Sequence, residues 1–506
     1  MKSRKSPKTT VKSTPVITLP VTIPDAYLGQ KGYTIPKTEL TVEQQIALKE
    51  ILIAKPMVNG VPAVDSACFP VYRESPNKIY IPRYFGEETF GKSSQIKITE
   101  GDIVELTFCG KMRDIQETVI QKYIDHVNMD EMGGGGLLEL FCGFGKTICA
   151  LNIISRLKKK TLIIVHKEFL MNQWIERIQQ FLPTARVGKI QAQIIDIEDK
   201  DIVIGMLQSL SMKDYPPSMF DSFGFTIIDE VHHISSQVFS NVLFKLVTKY
   251  TLGLSATMNR KDGTTKIFKM FLGDIIYKCV RDNEDNVTVR AYNYKSENET
   301  FNDVMLDYRG NVLYSSMISK LCSFNDRTEF ILNILKDLLD ENDNQQIMIL
   351  AHNKNILKYM HDAIKHRNIA TVGYYVGGMK EADLKISETR KVIIATYSMA
   401  AEALDIKTLT TLIMATPKTD IEQAVGRILR EKHGNPMVVD VIDQHQPFRN
   451  QWNKRRAFYK KNNYKIITIG TNGVVSKERC LRYDSGSGDD DDNLPRKCLI
   501  DVDNMA

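Results

Sequence analysis

The chain has 506 residues, 43% hydrophobic and 25% charged, and its 67 Lys and Arg against 61 Asp and Glu leave a net charge of +6. That length is enough for roughly three domains of ~150 residues, and so mild a positive charge permits a nucleic-acid partner without demanding one. No run of ~18 apolar residues occurs, which excludes a membrane-spanning helix, and the eight cysteines (68, 109, 142, 149, 279, 322, 480 and 498) form no C-x-x-C pair, so reduced thiols are expected and a zinc site is not.

The N-terminus, M-K-S-R-K-S-P-K-T-T-V-K, has no apolar core behind it and is not a secretory signal. Residues 1–20 are expected to be a disordered basic arm. It could touch nucleic acid or act as a nuclear address; a solvated tail is the plainer alternative. Residues 40–54 have helical periodicity, and 68–84 read as a hairpin-containing unit rich in Tyr and Pro. Together they suggest a small α+β module over 21–110.

From 111 the pattern changes to apolar strands alternating with amphipathic helices. Strands are expected at 137–141, 161–165, 201–204, 225–229 and 250–255, with helices at 147–158 and 168–181. The alternation predicts an α/β lobe: a parallel sheet with helices on both faces. Within it, residues 138–147 read L-E-L-F-C-G-F-G-K-T. Glycines in such a turn let backbone N–H groups close around phosphate oxygens, Lys146 neutralises the β/γ-phosphates of ATP, and the Thr147 hydroxyl can hold Mg²⁺. Residues 226–232 read T-I-I-D-E-V-H. There Asp229 can hold the same metal through water, and Glu230 can position the attacking water. Either piece alone is a modest signal; both in this order point to ATP hydrolysis. Cys142 lies inside the phosphate turn, which argues against an oxidising compartment.

After a polar connector expected near 281–325, the strand pattern returns at 346–351, 391–396, 411–415 and 437–442, a second α/β lobe over 326–470 without a phosphate turn of its own. Residues 422–430 read E-Q-A-V-G-R-I-L-R. As a helix they would align Gln423, Arg427 and Arg430 on one face, and an arginine reaching a γ-phosphate stabilises transition-state charge. An ordinary exposed basic helix is the alternative. Residues 453–465 interleave six basic residues with Phe458, Tyr459 and Tyr464. Such mixing suits nucleic-acid binding, or equally a solvated terminal helix. The tail from 471 carries the run Asp489–Asp492 and is expected to be acidic and disordered.

These motifs resemble superfamily 2 helicases of the DExH type, in the XPB/phage-like branch, and helicases of large cytoplasmic DNA viruses of the poxviral transcript-release type. The resemblance covers about residues 111–470. It implies two tandem RecA-like lobes. M-R-D-I-Q (112–116) is similar to the adenine-contacting segment, with Gln116 as base reader. Cys142, Gly143, Phe144, Gly145, Lys146 and Thr147 match the phosphate loop, and V-H-K-E-F-L-M-N-Q-W (165–174) the L-x-x-Q-W motif on the nucleic-acid side. Gln173 and Trp174 close that motif; Trp174 could shape the strand-binding face or simply fill the core. Ser255, Ala256 and Thr257 match the S-A-T motif that couples hydrolysis to strand binding. His232 is implied to link the metal motif to Gln423, and Asp405, in A-T-Y-S-M-A-A-E-A-L-D-I (395–406), to contact the ribose.

Three positions depart from the family. Ala403 stands where the fifth motif has glycine, Ala424 where many relatives have arginine, and Gly205-Met206 where a threonine is common. None removes a catalytic group. The resemblance implies an ATP- and Mg²⁺-using helicase or translocase, a monomer being sufficient. DNA is the expected substrate, in viral transcription and transcript release, with the transcription machinery as partner. An RNA helicase on the same engine is the alternative, and a non-hydrolysing nucleic-acid scaffold the alternative of another class. The implied compartment is the host cytoplasm at a virus factory, or the virion, rather than the nucleus, and no membrane.

Overall fold

The structure is a computed structural model and describes residues 18–58, 61–62, 68–233, 236–258, 263–279, 286–402, 406–429, 434–471 and 475–479. Most of the expected basic arm, and the run Asp489–Asp492, lie outside the described residues. The chain divides into two compact units, residues 1–281 and 282–506.

In the first unit an eight-stranded sheet runs in the order Ile194–Ile195, Val187–Gln191, Ile202–Met206, Thr161–Val165, Phe225–Ile228, Tyr250–Ser255, Gly135–Leu140, Ile275–Cys279. All its pairings are parallel except that of the short edge strand Ile194–Ile195. Its central strands are aliphatic and β-branched because helices cover both faces; every residue of Thr161–Val165 and Tyr250–Ser255 is buried. The helices dock through apolar stripes at three- and four-residue spacing. Glu168–Phe181, for example, buries Leu170, Met171, Trp174 and Ile178.

The N-terminal part of this unit is a five-stranded sheet ordered Arg73–Glu74, Lys78–Ile81, Gly32–Pro36, Tyr27–Gly29, Gln95–Ile96. The helix Val42–Ile51 begins at Thr41, whose side chain and that of Gln44 cap each other's backbone N–H. The module is not separable at 110, as the sequence suggests. Val104 and Leu106 belong to the same core as Val119, Leu138 and Ile163. Val104 N–H donates to Lys158 O at 3.1 Å and Cys109 N–H to Phe181 O at 2.7 Å. Arg83, only 4% exposed, donates to the carbonyls of Lys249, Met132 and Gly133 at 3.0–3.2 Å. These are irregular, long-range pairings with no periodic signature, so composition alone places the boundary too late.

The second unit is also an eight-stranded sheet: Val372–Tyr375, Val392–Thr396, Gln346–Ala351, Leu409–Met414, Met437–Asp443, Thr288–Tyr294, Lys465–Gly470, Val475–Arg479, parallel apart from the last pairing. Two expectations are corrected here. The supposed connector contains Thr288–Tyr294, an inner strand paired on both sides, and the helix Tyr314–Ser323. The strand T-V-R-A-Y-N-Y alternates in burial rather than running apolar, so it lacks the signature of a doubly covered parallel strand. Similarly Val475–Arg479, in the supposed disordered tail, pairs antiparallel with Lys465–Gly470.

Two buried arginine–aspartate pairs clamp helices to the strand Met437–Asp443. Arg327 donates to Asp443 at 2.6 and 2.8 Å, both side chains fully buried. Arg455 donates to Asp440 at 2.7 and 2.8 Å, with both at 1% exposure. Positions 440 and 443 are an odd number apart, so the carboxylates face opposite sides of the sheet. One holds the helix Asn325–Glu341, the other the helix Gln446–Lys461.

Candidate nucleotide site

The phosphate turn follows the buried strand Gly135–Leu140 and leads directly into the helix Lys146–Leu157. Gly143 and Gly145 have φ of 86° and 97°, which side-chain-bearing residues rarely adopt. A Cβ on Gly145 would also meet the Gln116 amide nitrogen at 2.6 Å. Phe144, 1% exposed, anchors the turn in the core edge-on to Phe141, with ring centroids 5.4 Å apart. The turn therefore hangs from a buried aromatic and opens onto a helix N-terminus, the kind of place where backbone amides can receive an anion.

Gln116 sits directly behind this turn. Its Nε2 donates to Phe144 O at 2.7 Å, and its Oε1 accepts from Arg113 N–H at 3.0 Å. Arg113 also donates to Phe144 O and lies over the Phe144 ring at 5.6 Å. Thus the base reader implied by the resemblance, 5% exposed, braces the phosphate turn here. Arg113, which the sequence did not single out, shares that work.

The strand Phe225–Ile228 delivers the carboxylates. Asp229 N–H continues the sheet pairing to Ile164 O at 3.1 Å, and the side chain is 6% exposed. Its Oδ1 accepts from Glu230 N–H at 2.9 Å and its Oδ2 from the Trp174 indole N–H at 2.9 Å. Burial first, and then the neighbouring Glu230 charge, push the Asp229 carboxyl up to about 6, while the Trp174 hydrogen bond works the other way. Glu230 has φ 48°, a left-handed conformation that costs a residue of its size. That turn lifts its carboxylate out of the sheet, 3.6 Å from Lys146 Nζ.

His232 and the S-A-T motif meet. His232 Nδ1 lies 2.6 Å from Ser255 Oγ and 3.4 Å from Glu230 Oε2. Ser255 Oγ donates its one proton to Thr257 O at 2.6 Å and accepts from Thr257 N–H at 3.2 Å. The hydroxyl proton being committed, Nδ1 must carry the imidazole proton and donate. Ala256 between them is 9% exposed. The histidine that follows the two carboxylates is thus hydrogen-bonded to the end of the neighbouring strand. Within the first unit His232 joins the segment of Asp229 and Glu230 to Ser255 of the S-A-T motif.

In the second unit the segment 422–430 departs from the expected helix. Only Glu422–Val425 is helical. Beyond it Arg427 N–H bonds Ala424 O and Ile428 N–H bonds Val425 O, both at 3.2 Å. These three-residue closures tighten the turn at Gly426 and break the α-helical spacing. Gln423 is half-buried and Arg427 only 7% exposed, so this is no solvated basic helix. Arg430 and Asp405 lie outside the described residues. The basic segment 453–465 is also corrected: Arg455, Tyr459 and Tyr464 are buried, and Tyr459 O–H donates to Asp440 at 3.0 Å. Lys454, Lys460 and Lys461 remain exposed.

A family model described as "Type III restriction enzyme, res subunit" matches residues 110–260. A protein of Acanthamoeba polyphaga mimivirus, provisionally named an ATP-dependent RNA helicase, is 34% identical over 449 residues, covering 86% of this chain and 85% of its own. The chain belongs to the superfamily 2 helicases. This helicase is also similar to a provisionally named helicase of Invertebrate iridescent virus 6, 27% identical over 72% of this chain and 85% of the other. Its fold matches that of Saccharomyces cerevisiae Dbp5 bound to RNA and ADP BeF3, with a TM-score of 0.51 at 14% identity over 72% of this chain and 90% of that one. A fragment of an HsdR subunit of a type I restriction enzyme from Vibrio vulnificus gives the same TM-score at 16% identity, over 73% of the helicase and 71% of that chain. The two sheets are accordingly the tandem RecA-like lobes of an ATP-dependent enzyme. Among the described residues no helix is long and apolar enough to cross a membrane.

Proposed function

We propose that the helicase hydrolyses ATP at the phosphate turn of the first unit and uses the cycle to move along DNA. The observation that carries this is the convergence of Lys146 Nζ and the Glu230 carboxylate, 3.6 Å apart, beside an Asp229 held at both oxygens. The turn amides and Lys146 bind the β/γ-phosphates. Glu230 orients the attacking water and accepts its proton, its strained backbone fixing where the carboxylate stands. Gln116 keeps a second amide hydrogen and a second lone pair for the adenine while bracing the turn. Gln423, Arg427 and Arg430 supply the γ-phosphate contacts, Asp405 binds the ribose, and Ser255, Ala256, Thr257 and His232 relay the site's state.

The donor set suits Mg²⁺. Thr147 and Asp229 offer hard oxygens, and among the described residues no group of three or more His, Cys, Asp and Glu forms a cage of its own. A metal shared with nucleotide phosphates needs just such a sparse protein shell. When bound, the ion neutralises charge on the phosphate oxygens.

A second reading, RNA as the track, is favoured by the names of the mimivirus relative and of the African swine fever virus relatives, which are called ATP-dependent RNA helicases. Transcript release beside a viral transcription machinery, in the host cytoplasm or the virion, is the setting that fits a DNA track. An ATPase titration with single-stranded DNA, duplex DNA and RNA separates the two. DNA is expected to stimulate turnover most, and stimulation by RNA alone would transfer the proposal to RNA. Lys146→Ala should abolish hydrolysis with the fold intact; a folded variant with near-parental turnover would remove this loop from the chemistry.

A further inference from the structure

Trp174 is the largest fully buried side chain among the described residues. It lies on the helix Glu168–Phe181, far in sequence from the carboxylates, and the apolar core around its ring explains its burial without remainder. Its N–H is a different matter. A buried indole N–H must find an acceptor, and of all the acceptors in this core it meets Asp229 Oδ2 at 2.9 Å. The other oxygen, Oδ1, is taken by the adjacent backbone N–H of Glu230, also at 2.9 Å. With one donor on each oxygen the carboxylate plane cannot rotate, and each oxygen keeps one lone pair.

We infer that Trp174 is a positioning residue for the metal-holding carboxylate, setting the direction in which Asp229 presents its free lone pairs. The inference rests on the proposed role of Asp229 as a magnesium carboxylate. Outer-shell donors of this kind orient metal ligands, and their loss typically weakens metal affinity or activity about 10–100-fold. The geometry has a second consequence. The Glu230 bond alone comes from the same turn, so it moves with the carboxylate. The Trp174 bond comes from another element, and it alone references the carboxylate to the helix Glu168–Phe181. A shift of that helix turns Asp229.

Trp174→Phe keeps the bulk of the ring and deletes only the N–H. Mn²⁺ binding to the ADP-bound full chain, followed by the electron paramagnetic resonance signal of free Mn²⁺, is expected to weaken by about tenfold, with ADP affinity measured without metal little changed. The half-saturating Mg²⁺ for ATP hydrolysis should rise in parallel while KM for ATP at saturating Mg²⁺ holds. A merely structural tryptophan would lower both nucleotide and metal affinity or neither. Asp229→Asn is measured alongside. If it weakens Mn²⁺ binding and Trp174→Phe does not, the inference is overturned and the metal assignment stands. If Asp229→Asn itself leaves Mn²⁺ binding unchanged, the metal assignment falls instead. Should Trp174→Phe fold poorly, the native indole can be followed directly. The chain has two tryptophans, so Trp452→Phe leaves Trp174 as the only indole, excited selectively at the red edge where tyrosine does not absorb. Mg²⁺ added to the ADP complex is expected to shift its emission, and Asp229→Asn to abolish the shift; an emission indifferent to metal overturns the inference.

Discussion

Asp229 shows how a buried carboxylate costs stability. Its carboxyl is buried beside another carboxylate and is pushed up to about 6, against about 4 in an unfolded chain. The folded state therefore holds the proton more tightly than the unfolded state does. Above about pH 6 the folded chain carries the full cost of the buried charge, and the cost fades as the pH falls from about 6 to about 4. Asp229→Asn turns an NH2 toward one of the two donors at a fixed cost, but its stability relative to the parent should still improve as the pH rises from about 4 to about 8. The pH-dependent part of the difference should vanish near pH 4, while hydrolysis is lost throughout. Thermal melts across that range check it; a stability difference independent of pH would contradict the shift. Glu230→Gln keeps size and hydrogen bonding but removes the proton acceptor. Nucleotide binding should persist, hydrolysis should slow by orders of magnitude, and the ATP complex should grip nucleic acid more tightly. Turnover within a few-fold of the parent would remove Glu230 from water positioning.

The helix Gln446–Lys461 carries two kinds of basic residue that look alike in sequence. Arg455 is locked on Asp440 and on Lys418 O, at 1% exposure. Removing it strands a buried carboxylate, so Arg455→Ala should destabilise the second unit by about 3–5 kcal/mol. Lys454, Lys460 and Lys461 face solvent. Replacing these three with Ala should leave the melting point nearly unchanged. If they touch the backbone of a single strand, the log–log salt dependence of binding should flatten by about 0.7 per lost phosphate contact. An unchanged slope would make them a solvated face. Deleting 451–470 is no test, because Lys465–Gly470 is an inner strand of the sheet.

At the scale of the molecule, residues 1–281 form a unit with its own sheets and cores. Expressed alone it should fold, bind ATP weakly and hydrolyse it poorly, since Gln423, Arg427 and Arg430 are missing. Hydrolysis at the rate of the full chain would refute their roles. A fragment starting at 111 should fold worse than one starting at 18, because it lacks Val104, Leu106 and the Arg83 anchor that close the first lobe. Matching denaturation midpoints would show the N-terminal sheet to be independent.

The alternation of apolar strands and amphipathic helices, and the place of G-F-G-K-T and D-E-V-H at the ends of buried strands, were legible in the chain. They are local: a buried parallel strand must be apolar along its length, and a phosphate turn needs glycines, lysine and hydroxyl within a few residues of one another. What escaped was carried by contacts distant in sequence. Thr288–Tyr294 becomes an inner strand only because Met437–Asp443 and Lys465–Gly470 flank it. Arg455 reads as a nucleic-acid contact until Asp440 lies opposite it. Trp174 reads as core, which it is, yet only the packing of its helix on the sheet aims the indole at a carboxylate 55 residues away. Periodicity reports which face of an element is buried. It cannot report which atom of another element will be waiting there, because that depends on how the layers stack.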